Sequence, residues 1–159
     1  MQHLTMRLAT ALILGLSLGA TGAAYATEPA AHAGHQASEL VLRLNGGAKW
    51  QGDDNMIRGM NAIRASISPL VPAIHGKTLP ADEYKRLATD IQGQVDFMVA
   101  NCKLSPEADE QFHVVLAQVL DGVSAMDAGP DHEAGAVQVV AALNGSGEYF
   151  THPGWQPLE

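Results

Sequence analysis

The 159-residue chain sets 9 Lys+Arg against 17 Asp+Glu, a net charge of −8, with 47% apolar residues and a single cysteine. That length and apolar content suit one folded domain. The acidic balance argues against nucleic acid or anionic lipid as partners, and a lone cysteine excludes an intramolecular disulfide.

The chain opens with Arg7 ahead of an uncharged apolar run, Leu8 to Leu18, followed by small residues and Ala24-Tyr25-Ala26. This is the pattern of a cleavable secretory signal peptide over residues 1–26. The run is too short and too interrupted for a membrane span, which needs about 20 strongly apolar residues. No twin-arginine pair is present, so export of the unfolded chain into the periplasm is expected. No cysteine adjoins the cut site, so no membrane anchor is expected on the mature protein. Cleavage removes one basic and no acidic residue, which leaves 8 against 17 and a net charge of −9.

Residues 27–38 (TEPAAHAGHQAS) read as a flexible tail, and 39–159 as one helical domain. His32-x-x-His35 in the tail is a weak metal-catching pair. Glu39–Leu44 alternates and suggests a short extended piece, broken at Asn45-Gly46-Gly47. Asp53-Asp54 supplies N-cap residues for a first helix. Met56, Met60, Ile63, Ile67, Leu70 and Ile74 follow at four- and three-residue spacing, one helical face from Asp54 to Ile74. Pro69 and Pro72 predict a kink near Ser68. A second helix spans Pro80 to Cys102 with an apolar stripe through Tyr84, Leu87, Ala88, Ile91, Val95, Met98, Val99 and Cys102. A third opens on Ser105-Pro106-Glu107, an N-cap, a proline and an acid in the first turn. Its face is Phe112, Val115, Leu116, Val119, Leu120, Val123 and Met126. After Gly129-Pro130 a fourth helix runs through Ala136, Val137 and Val140 to Leu143, with Asn144-Gly145 as its stop. Short loops between four helices imply an all-α, antiparallel up-down-up-down four-helix bundle.

That connectivity places the start of helix 1, the end of helix 2, the start of helix 3 and the end of helix 4 together. Met56, Met60, Met98, Cys102, His113 and His152 then share one end, with Tyr149 beside them. Thioether, thiolate and imidazole form a ligand set suited to copper, above all Cu(I). Asp109, one turn before His113, is placed to orient its imidazole. Each residue also has a structural role open to it: the methionines and Cys102 as core packing, His113–Asp109 as a surface ion pair, and His152 as part of an aromatic cap. His75 and His132 fall toward the other end without companions.

Three strings resemble a family of small exported bacterial helical-bundle proteins of poorly defined function. They are Lys49-Trp50 with Met56-Ile57-Arg58-Gly59-Met60 and Ile63-Arg64; Asn101-Cys102-Lys103-Leu104 with Glu107-Ala108-Asp109 and His113; and Tyr149-Phe150 with His152-Pro153-Gly154-Trp155. The architecture is also similar to the cytochrome b562 family, whose members hold b-type haem between a Met near the start of helix 1 and a His on helix 4. Asp54-Asn55-Met56 matches that start, whereas His152 lies beyond the expected end of helix 4. No C-x-x-C-H occurs, which excludes covalent haem of the cytochrome c′ kind.

Three functions follow as expectations. The leading one is an exported bundle that holds a soft metal, copper favoured, through Met60, Cys102 and His113. The second is a b-type haem electron-transfer protein using Met56 or Met60 and His152 or His113. The third is a cofactor-free structural or interaction protein, with a homodimer linked through Cys102. No catalytic residue is expected: Glu107, Asp109 and Glu110 suit a helix N-terminus, and no nucleophile–base pair stands out.

Overall fold

Asn45 and Ala48 close a tight turn through reciprocal backbone hydrogen bonds of 2.8 and 3.0 Å. It belongs to residues 41–159, the part of the chain that the computed structural model describes. The leader, the tail and His32-x-x-His35 lie outside the described residues. Residues 41–44 join no ladder; the first strand is Trp50–Gln51 (β1).

Asp53 caps helix α1 (Asp54–Ile67), its Oδ1 accepting the Met56 N–H at 2.7 Å. Met56, Met60, Ile63 and Ile67 point into the core. The expected kink falls at Ser68. There Ser68–Leu70 forms a single 3-10 turn and α2 (Val71–His75) resumes. Pro69 and Pro72 have no N–H to continue the ladder.

Helix α3 (Ala81–Asn101) buries the expected stripe from Tyr84 to Met98. Val99 departs from it and stands 66% exposed. It follows Met98 by one residue, about 100° further round the helix, off the face that Ile91, Val95 and Met98 define.

Ser105 caps α4 (Pro106–Ala128) through its Oγ, 3.3 Å from the Ala108 N–H, and Gly129 ends it. Here too the face is rotated from the expected one: Val114 is buried and Leu120 is 37% exposed. In α5 (His132–Tyr149) Val139 is buried and Val137 stands 43% exposed.

The expected stop at Asn144-Gly145 does not occur, since α5 continues to Tyr149. Tertiary contacts outweigh the poor helix propensity of these residues. Asn144 brackets the Leu158 backbone with two 2.9 Å hydrogen bonds. Ser146 is fully buried, and the Trp155 indole lies where a Cβ at Gly147 would stand. Phe150–Thr151 (β2) then pairs in parallel with β1, Trp50 opposite Phe150. This unforeseen two-residue ladder joins the approach to α1 to the exit from α5.

The fold is all-α, with four long helices around one core. Helices α4 and α5 approach closely at Gly122 and Gly135, where a Cβ on either would stand 2.6 Å from the other's carbonyl oxygen. Across α1 and α3, Asn55 Nδ2 donates to the Asn101 carbonyl at 2.9 Å, and Gly59 makes room for the Met98 side chain. No described helix is long and apolar enough to cross a membrane.

Gly93, in the middle of α3, lacks any such neighbour: a Cβ there would meet none of the described residues within 4 Å. Glycine in a helix interior costs about 0.5–1 kcal/mol relative to alanine. Gly93→Ala is therefore expected to raise the unfolding free energy by about that amount in a urea titration. A loss of stability would show that the glycine serves the fold.

Candidate functional site

Cys102 leaves α3 with extended backbone, its N–H still bonded to the Met98 carbonyl at 2.9 Å. Beyond it, the Lys103 N–H reaches Asp53 Oδ2 at 2.5 Å. One carboxylate thus caps α1 and ties down the loop after α3. Burial alone would raise the Asp53 pKa, but the Met56 and Lys103 N–H groups and the Cys102 thiol donate to it and hold it below the ordinary value. The consequence for Cys102 is opposite. Burial, and then the Asp53 carboxylate beside it, push its thiol up to about 12. Cys102 is a protonated, half-buried thiol that donates to Asp53.

His113 stands one helical turn after Asp109. Its Nδ1 is 2.8 Å from the Asp109 carbonyl oxygen and 3.5 Å from the carboxylate. With Nδ1–H donating to that carbonyl, Nε2 is left with its lone pair free, the tautomer found in metal-ligating histidines. Met98, Cys102, Asp109, Phe112 and His113 line one small cavity of about 50 Å³ between the end of α3 and the first half of α4. A cavity of that size admits an ion or a few water molecules. Organic cofactors occupy pockets of about 300–1,000 Å³.

The other expected ligands lie elsewhere. Met56 and Met60 are fully buried in the core and do not line this cavity. His152 is only 9% exposed and packs against Trp155 at 4.7 Å between ring centroids. Its Nε2 is 3.4 Å from Ser146 Oγ, and its Nδ1 has no partner among the described residues. Burial, and then the charge of Lys49, push its pKa down to about 4. Among the described residues no three His, Cys, Asp or Glu side chains are placed to share a metal ion.

Two side-chain partnerships are not evident in the sequence. Asp53 reads there only as an N-cap, and nothing marks it as the acceptor of the Cys102 thiol. His132 stacks on Tyr84 at 5.7 Å and bonds the Met126 carbonyl at 2.7 Å. That contact joins α3 and α5 at residues far apart in the chain. Comparison with protein-family models, curated proteins and solved structures finds no match to this chain.

Proposed function

We propose that this protein is an exported four-helix bundle of up-down-up-down topology that binds one soft metal ion, copper favoured, and carries or buffers it. The topology is supported by contacts such as Asn55 with Asn101 and Gln138 with Gln118. Asn55 lies at the start of α1 and Asn101 at the end of α3, while Gln138 in the first half of α5 meets Gln118 in the middle of α4, as expected of antiparallel neighbours. Export rests on the leader of residues 1–26, and kinship with the small exported bundle family rests on the three sequence strings. The reading of the site is carried by one observation: Met98, Cys102 and His113, which carry a thioether, a thiol and an imidazole, line the same ion-sized cavity. A thiol, an imidazole and a thioether together favour Cu(I) over harder ions.

The Asp109 carbonyl fixes the imidazole so that Nε2 is the donor nitrogen. The thiol must lose its proton when the ion binds, because thiolate is the ligand form. Binding therefore strengthens as pH rises. The cavity's size favours an ion over haem, and its donors include no activated nucleophile, so transport or storage fits better than turnover.

Competition titration with a Cu(I) chelator tests this directly. One Cu(I) per chain is expected in wild type, with binding lost in Cys102→Ala and His113→Ala and retained in Met56→Leu. Stoichiometric binding that survives both alanine variants, or no binding in wild type, rejects the proposal.

A further inference from the structure

An open groove of about 550 Å³ runs between α3 and α4, away from the cavity just described. Val123 and Leu120 form its apolar floor, and Thr89, Gln92 and Ser124 contribute polar groups. Asp96 and Asp127 also line it, and among the described residues no Lys or Arg does. Asp96 accepts a hydrogen bond from Gln92 at 2.8 Å. Among the described residues neither carboxylate is ion-paired.

The two carboxylates lie at opposite ends of the groove. Residues 98–102 of α3 border residues 109–116 of α4, and residues 88–96 border 120–127. Asp96 therefore lies toward Leu120, seven residues from Asp127, or about 10 Å along the helix axis. One metal ion cannot be shared across that gap, since oxygen ligands lie about 2–2.6 Å from such ions.

Gly93 belongs to the same groove, and no packing neighbour among the described residues requires it to lack a side chain. The glycines at 59, 122 and 135 each abut a side chain or carbonyl that a Cβ would strike. At position 93 the missing side chain leaves the groove open.

We propose that this groove binds a linear aliphatic diamine or polyamine. An ammonium group pairs with each of Asp96 and Asp127, the Thr89 and Ser124 hydroxyls accept further N–H bonds, and the methylene chain lies over Val123 and Leu120. Lysine stems cover apolar surface in the same way. The strongly acidic chain adds a long-range attraction for a polycation. This proposal does not depend on the soft-metal reading, and its test contains no copper.

Calorimetric titration of the full chain at low salt uses spermidine, butylamine and Mg²⁺ as probes. One spermidine per chain is expected, with butylamine at least about tenfold weaker, since it can engage only one carboxylate. Asp96→Asn and Asp127→Asn are each expected to weaken spermidine by about three- to tenfold. Gly93→Leu, which fills the groove from an exposed position, is expected to abolish binding with the helical circular dichroism unchanged. Equal binding of butylamine, displacement of spermidine by equimolar Mg²⁺, or spermidine affinity unchanged in Gly93→Leu would overturn the proposal.

Discussion

A Gly135→Leu variant is expected to lose at least about 3 kcal/mol of unfolding free energy. Overpacking a core usually costs about 1–3 kcal/mol, because side chains can shift to absorb the added atoms. At Gly135 the obstruction is mostly backbone. A Cβ there would stand 2.6 Å from the Gly122 carbonyl oxygen and 2.8 Å from the Met126 nitrogen. Both belong to α4, whose own hydrogen-bond ladder holds them in place, so the accommodation open to the chain is to part the helices. Parting them would expose Val119, Met126, Ala136 and Val139, all fully buried at this contact, at about 25 cal/mol for each Å² of apolar surface returned to water. Gly93→Leu adds the same side chain to the protein and is expected to leave stability within about 0.5 kcal/mol of wild type or above it. Parallel urea titrations of the two variants measure the difference. If Gly135→Leu loses less than about 1 kcal/mol, the helices do not meet at these two glycines.

The contrast between those glycines shows how far the fold can be read from the chain. Helix number and type, the Asp53 and Ser105 caps and the kink at Pro69 and Pro72 were legible, because each depends on residues within a turn or two of one another. The apolar faces were legible to about a quarter-turn. Val99, Leu120 and Val137 stand beside buried Met98, Val119 and Ala136, and only the packing of a second helix decides which of two adjacent apolar residues is covered. The end of α5 was misread for the same reason. Asn144, Gly145 and Gly147 spell a stop locally, yet the C-terminal segment crosses them and needs the helix beneath it: Asn144 holds Leu158, and Gly147 admits the Trp155 ring.

The candidate site divides along the same line. Cys102, His113, Asp109 and Met98 could be brought together from helix order and length alone, because antiparallel neighbours place residues at matching depths. The same reasoning also drew in Met56, Met60 and His152, since depth along a bundle says nothing about which way a side chain points. The Asp53–Cys102 hydrogen bond was invisible for a different reason. It joins residues 49 positions apart, and Asp53 already had a sufficient role as a helix cap.

Acid is expected to unfold this protein earlier than its carboxylates require, and His152 is the cause. The ring is buried, with Ser146 on one nitrogen and, among the described residues, nothing on the other. The charged groups near it are cationic: Lys49, whose Nζ donates to the Gly147 carbonyl at 2.6 Å, and Arg64, whose guanidinium lies 5.8 Å from the centre of the neighbouring Trp155 ring. The folded-state pKa is about 4 against 6.5 for the free side chain. Above pH 6.5 both states are neutral and stability is unaffected. Between 6.5 and 4 the unfolded chain takes up the proton first, and stability falls by up to about 1.4 kcal/mol per pH unit, about 3 kcal/mol in all. Below pH 4 the folded state is protonated as well and the loss stops growing. Asp53, whose pKa is lowered, does the reverse. Its contribution is present above the ordinary carboxylate value of 3.8 and is lost only as pH falls below that, outside the His152 window. The segment expected to yield first is the C-terminal strap. It is held by Trp155 against His152, by the Arg64 Nε bond to the Gln156 carbonyl at 2.8 Å and by Asn144 on Leu158. His152→Phe keeps an aromatic ring against Trp155 and removes the titration. Urea midpoints measured from pH 7.5 to 4 should therefore fall more steeply in wild type than in the variant, with Trp fluorescence changing ahead of the helical signal. Equal slopes in the two proteins would mean that His152 is solvated, and that the strap does not seal it.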